Sequence, residues 1–230
     1  MYEQVFGFTA RPFASTPNVQ NYFPAEAIHH SLSQTRLCIE RASGPAMITG
    51  PSGTGKSLLL AMLAQQFEAD FQVVEILCSH LSERKDLLQH ILFELGLSYR
   101  EMSEGELRLS LINHLKSGDI KTGVLMLVDD AHTLSADLLD ELRAITNFVR
   151  DGRPAISLVM VGSPSLEGNL IDTKSESFNQ RIAVRSFLSS LGKKETFEFV
   201  LTQIERCNGN AESLFTGDSL SAVFLSLIHI

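Results

Sequence analysis

An α/β fold built on a parallel sheet is what this 230-residue sequence predicts, and two observations predict it. Short, near-continuous apolar runs alternate along the chain with helical apolar stripes, and continuous runs suit strands that are covered on both faces. The first of these runs also passes through a glycine-rich turn, Gly50 to Ser57, straight into a helical pattern.

Taken in order, the predicted strands are Ala46 to Thr49, Phe71 to Cys78, Val124 to Val128, Ile156 to Val161 and Val184 to Leu188. Between them lie three stripes with helical spacing: Leu87, Leu88, Ile91, Leu92 and Leu95; then Leu107, Leu111 and Leu115; then Leu138, Leu142, Ile145 and Val149. Each fits one buried face of a helix. The segment "SEGE", Ser103 to Glu106, reads as a capping box opening the second of these helices, and Ser135 is placed to cap the third. After Leu191 the pattern is helical only, with Phe197, Val200, Leu201 and Ile204 on one face and an "NGN" break before a last apolar segment. That change divides the chain into an α/β core over 1–191 and the start of a small helical subdomain over 192–230. The final "VFLSLIHI" has no cap or polar exit, which points to truncation or a foreign tail.

Composition narrows the field before any site is considered. With 44% hydrophobic and 20% charged residues the chain is an ordinary globular one, and its net charge of -8 argues against a surface built mainly to neutralise nucleic-acid backbones. Cys38, Cys78 and Cys207 form no C-x-x-C pair, so neither a disulfide framework nor a zinc site is signalled, and a reducing compartment suits them. The start, "MYEQVFGFTARPF", lacks a basic segment followed by an apolar run, and no stretch approaches the roughly 20 apolar residues that span a bilayer.

The turn "GPSGTGKS" comprises Gly50, Pro51, Ser52, Gly53, Thr54, Gly55, Lys56 and Ser57, and it matches G-x-x-x-x-G-K-[ST]. Glycines let the backbone curl so that successive N–H groups point at phosphate oxygens, and the helix N-terminus adds partial positive charge. Lys56 would reach the β- and γ-phosphates, while the Ser57 hydroxyl would ligate magnesium. The bland alternative is a glycine-rich turn with a solvated lysine.

The run "VLMLVDDAHTL" then ends a buried strand in two adjacent carboxylates. Two like charges side by side make sense when a cation is expected beside them. Asp129 stands where a Walker B residue holds the magnesium, and Asp130 would orient or activate the attacking water. His132 reads as a turn residue without a catalytic role.

With these motifs in place the chain resembles the AAA+ branch of P-loop ATPases, and within it the ATPase domain of the general secretion pathway protein A (ExeA) family. The resemblance starts at "FGFTARPFASTPN", with Phe6, Gly7, Pro12 and Phe13. It continues through "GPSGTGKS", "VLMLVDDAH", "LVMVGSPSLEGNL" and "FNQRIAVRSFLSSL". It implies a five-stranded sheet in the order 5-1-4-3-2 and ATP bound with magnesium at the ends of the first and third strands. It also implies homo-oligomers whose subunits complete one another's sites. Ser163 then takes the position of sensor 1, and Arg181 that of an arginine finger acting in trans, with Arg185 a weaker candidate. The implied work is assembly or remodelling of a secretion or cell-envelope complex, in the cytoplasm or at the inner membrane through a region beyond residue 230.

Two departures qualify the likeness. The usual catalytic carboxylate is a glutamate, whereas Asp130 is one methylene shorter, so hydrolysis would be slow unless water sits closer. No "G-x-P-R" segment, which carries sensor 2 in the lid, follows Leu220. The alternatives are a slow nucleotide-gated switch and a DNA-associated ATPase of the transposition-helper or initiator type, the latter disfavoured by charge. A GTPase is disfavoured too, because "DTKSE" at Asp172 lacks the aspartate of N/T-K-x-D.

Overall fold

The computed structural model describes residues 2–13, 16, 18–78, 81–117, 122–171 and 176–228. Five parallel strands form the central sheet: β1 (Ala46–Thr49), β2 (Phe71–Leu77), β3 (Gly123–Asp129), β4 (Ile156–Gly162) and β5 (Val184–Phe187). Their spatial order is 2-3-4-1-5, which is 5-1-4-3-2 read from the other edge. Each agrees with a predicted strand to within a residue at either end. The "DTKSE" segment lies largely outside the described residues.

Sheet alternation sends neighbouring side chains to two separate cores. On β3, Val124, Met126 and Val128 join one core, while Leu125 and Leu127 join the other. The first core is closed by α4 (Arg84–Glu94), α5 (Glu104–Lys116) and α6 (Ala136–Thr146). Leu87, Leu88, Ile91, Leu92, Leu107, Leu111, Leu115, Leu138, Leu142 and Ile145 are all buried there. The second core is closed by α2 (Glu26–Glu40) and α3 (Lys56–Phe67). Both faces of the sheet are therefore covered, as continuous apolar strands require.

The predicted punctuation of α5 and α6 is present. Ser103 Oγ accepts from the Glu106 amide at 3.4 Å, and Glu106 Oε2 accepts from the Ser103 N–H at 2.7 Å. Ser135 Oγ accepts from the Leu138 amide at 3.4 Å. One position departs from prediction. Val149 does not continue the buried face of α6 but lies 64% exposed in a two-stranded hairpin, Val149–Arg150 against Arg153–Pro154. The reason is local: Asp151 and Gly152 both take positive φ, 52° and 77°, the signature of the tight turn that an Asp-Gly pair favours.

After β5 come α9 (Lys193–Arg206), α10 (Ala211–Leu214) and α11 (Gly217–Ile228) around their own small cluster of Val200, Ile204, Ala211 and Leu220. The "NGN" break separates α9 from α10, with Asn208 at φ 60°. The N-terminal segment ties this cluster to the sheet. Phe8 packs into it, Asn21 O accepts from Gln203 Nε2 at 2.8 Å, and Glu195 Oε1 accepts the Glu26 N–H at 3.0 Å. No described helix is long and apolar enough to cross a membrane.

Candidate functional site

The glycine-rich loop leaves the C-terminal end of β1, between β4 and the edge strand β5, and its conformation accounts for its glycines. Gly53 and Gly55 take φ of 78° and 91°, where L side chains are strained. Gly50 is needed for a different reason: a Cβ there would fall 2.5 Å from the Leu188 carbonyl oxygen. Its own N–H donates to Gly162 O at 3.2 Å, and Leu188 N–H donates to Thr49 O at 2.7 Å. The loop is thus seated between the ends of β4 and β5.

From Lys56 the chain enters α3, whose first turn presents its unpaired amides to the loop. Lys56 Nζ donates to Gly50 O at 2.9 Å and Pro51 O at 2.6 Å, folding back across the loop that would hold phosphate. Burial draws its ammonium below the ordinary lysine value, with Asp129 and Asp130 pulling the other way. Thr54 Oγ1 donates to Pro51 O at 2.9 Å and tightens the turn.

Asp129 ends β3, two strands from β1, and Ser57 Oγ donates to its Oδ2 at 2.6 Å. Hydroxyl and carboxylate come together from residues 72 apart in sequence. The neighbouring Asp130 has left-handed φ 51°, ψ 36°, and its N–H donates to Asp129 Oδ1 at 2.8 Å. Aspartate is among the few residues besides glycine that visit this region routinely.

Ser163 follows β4 and lies beside this pair. Its N–H donates to His132 Nδ1 at 3.4 Å, and its Oγ lies 2.7 Å from Ser165 Oγ on α7 (Ser165–Ile171). Arg181 lies elsewhere, exposed just after α8 (Glu176–Asn179), with its carbonyl against Gly44 at the opposite end of β1. From there to the loop is roughly 15–20 Å of extended chain, farther than an arginine side chain spans. Arg181 therefore does not reach the loop of its own chain. Arg185 Nη2 donates to the Asn179 carbonyl and to Asn179 Oδ1, both at 2.6 Å, so that guanidinium braces the Arg181 turn.

Several neighbours of the loop carry no motif. Ile28 of α2 would meet a Cβ at Gly55 at 3.0 Å, and Thr49 Oγ1 donates to Glu167 Oε1 at 3.2 Å. Asn169 Nδ2 donates to His132 O at 2.9 Å. Cys78, buried after β2, has its thiol pushed up to about 12 by burial first and then by the charges of Asp129 and Asp130.

The donor set fits a magnesium nucleotide. Among the described residues no three His, Cys, Asp or Glu side chains form a cage for a metal. A hydroxyl and a carboxylate beside a phosphate loop suit the ion that binds through one or two protein ligands, substrate phosphates and water. Aspartate and serine oxygens are also hard donors of the kind magnesium prefers.

Known proteins resemble the chain in sequence and in fold. The family described as AAA domain matches residues 39–170. General secretion pathway protein A of Aeromonas hydrophila is 28% identical over 225 residues, covering 97% of this chain and 41% of that protein. Among solved structures, Cdc6p from Pyrobaculum aerophilum superposes with a TM-score of 0.66 at 20% identity, over 89% of this chain and 53% of that one. The Aeropyrum pernix ORC2 protein, in its ADP form, gives 0.64 at 18% identity, over 81% and 55%. The chain spans about two fifths of the secretion protein and just over half of each solved structure.

Proposed function

The chain belongs to the AAA domain family, matched over residues 39–170, and from that membership we propose that it binds ATP at Gly50–Ser57 and hydrolyses it to ADP and phosphate. The observation that carries the proposal is the 2.6 Å bond between Ser57 Oγ and Asp129 Oδ2, directly beside the lysine-bearing loop. In this reading both oxygens would hold magnesium, which would supply positive charge beside the phosphates. Lys56 leaves its two loop carbonyls for the phosphates, and the backbone amides of the loop hold the β-phosphate. Asp130 orients the attacking water, Ser163 senses the γ-phosphate, and Arg181 of one subunit serves the site of the next.

The same reading takes 1–191 as the nucleotide-binding core and 192–230 as the beginning of a lid. The likeness to general secretion pathway protein A supports assembly or remodelling of a secretion or cell-envelope complex as the work that hydrolysis drives, with protein components as partners. A cytoplasmic place, at the inner membrane, belongs to the same proposal.

One observation favours a second reading, a switch that binds ATP and turns it over slowly: Asp130 is short and sits in a left-handed turn. Phosphate release with magnesium separates the readings. Lys56→Ala should abolish release, and release unaffected by that substitution would overturn both. Asp130→Glu should raise turnover if reach alone limits the rate. It should lower turnover if the left-handed turn, which costs an ordinary L residue about 1–2 kcal/mol, dominates.

A further inference from the structure

The motifs leave His132 without a role, yet its ring lies between the two groups assigned to the reacting end of the nucleotide. Its Nδ1 accepts the Ser163 N–H at 3.4 Å and faces Asp130 Oδ1 across 3.9 Å. Accepting an N–H at Nδ1 uses the lone pair of that nitrogen.

Three further features hold the ring in place. Asn169 of α7 donates to the His132 carbonyl at 2.9 Å. Gly162 supplies the space, since a Cβ there would lie 3.1 Å from His132 N and 3.3 Å from both its Cβ and its Nδ1. The 3-10 turn Ala131–Thr133 that carries His132 is closed by the Thr133 hydroxyl, which donates to Asp130 O at 2.9 Å. The histidine is therefore fixed to the end of β3, to the end of β4 and to α7 at once.

We infer that His132 is a positioning residue for hydrolysis, in which its Nδ1 sets the spacing between the Asp130 carboxylate and the Ser163 segment. The inference rests on the proposed ATPase reading and deepens it. A water attacking the γ-phosphate must meet Asp130 and Ser163 together, and those residues stand on different strands. A ring that bonds one and abuts the other keeps the two edges in register. Loss of that register costs rate without costing nucleotide affinity, because among the described residues no hydrogen bond joins the phosphate loop or Ser57 to the histidine.

The test compares the wild-type chain with His132→Leu, His132→Gln and His132→Asn. Leucine has no acceptor, glutamine carries its amide one bond too far, and asparagine places an oxygen close to the Nδ1 position. Single-turnover phosphate release should fall about 10- to 100-fold in the leucine and glutamine forms, the range expected when reacting groups are misplaced by about an ångström. The Kd for ATP should stay within about two-fold, and asparagine should restore most of the rate. A readout independent of activity is the Ser163 backbone amide in the nucleotide-free protein. Its resonance should move, and its hydrogen exchange should quicken, in the leucine and glutamine forms but not with asparagine. Glutamine is the less disruptive probe should leucine fail to fold.

Equal rates in all four forms, or equal loss in all three variants, would overturn the inference while wild-type hydrolysis stands. An unmoved Ser163 amide would overturn it as well. Wild-type release no greater than that of Lys56→Ala would instead remove the ATPase reading, and the inference with it.

Discussion

Asp129 and Ser57 were both legible as candidates for the same site because their chemistry sits inside short local motifs, and the fold brings their side chains to 2.6 Å. Glu167, Asn169 and His132 were not readable as neighbours of the site. Each contacts it through a single hydrogen bond or ring approach that has no sequence pattern of its own. Cys78 shows the same limit from another side: as one of three scattered cysteines it signals nothing in sequence, yet it is buried beside two carboxylates. Its pKa, raised from an ordinary 9.0 to about 12, keeps the native thiol protonated where an unfolded chain would lose its proton. The sign follows: the raised value adds stability that is fully present below about pH 9 and is lost as pH rises toward 12. At pH 8, iodoacetamide should label Cys78 far more slowly in the native protein than after unfolding in urea. Comparable labelling rates would show that the thiol is neither buried nor held protonated.

At the scale of elements, the strands and the stripes of α4, α5 and α6 were legible because their apolar spacing is regular and their caps are explicit. Helix α2 gave no such signal. Two of its buried positions are Ser31 and Thr35, whose hydroxyls have no hydrogen-bond partner among the described residues, so the buried face does not read as apolar. The hairpin at Val149–Pro154 is too short for periodicity, although "RDGR" carries the turn signal that would have found it. The cap of α5 makes an element-scale prediction. The Ser103 amide first, and its hydroxyl next, hold the Glu106 carboxyl below the ordinary 4.5. A lowered carboxyl adds stability that is present above its unfolded value and is lost as pH falls through the folded one. Ser103→Ala should cost about 1 kcal/mol near neutral pH. It should also flatten the loss of stability on acidification below about pH 4.5, as read by urea midpoints across pH. Parallel acid limbs in the two proteins would count against the cap.

For the whole molecule, the family resemblance implied the strand order and the continuous apolar runs implied two covered faces of the sheet, and the structure has both. What no local pattern could give is the placement of Arg181 at the far end of β1 from its own loop. That placement confines any catalytic use of Arg181 to a neighbouring copy. Arg181→Ala and Lys56→Ala subunits should each be inactive alone and regain phosphate release when mixed, because a Lys56→Ala subunit can lend its arginine to an intact loop. No recovery on mixing, with both variants folded, would contradict a shared site. The central claim, that Gly50–Ser57 holds a magnesium nucleotide, is tested most directly by equilibrium binding of a fluorescent ATP to the wild-type chain, Lys56→Ala and Gly50→Ala. Magnesium-dependent binding that both substitutions abolish is the expected result, for Gly50→Ala because its Cβ meets Leu188 O at 2.5 Å. Binding of equal strength in all three proteins would contradict it.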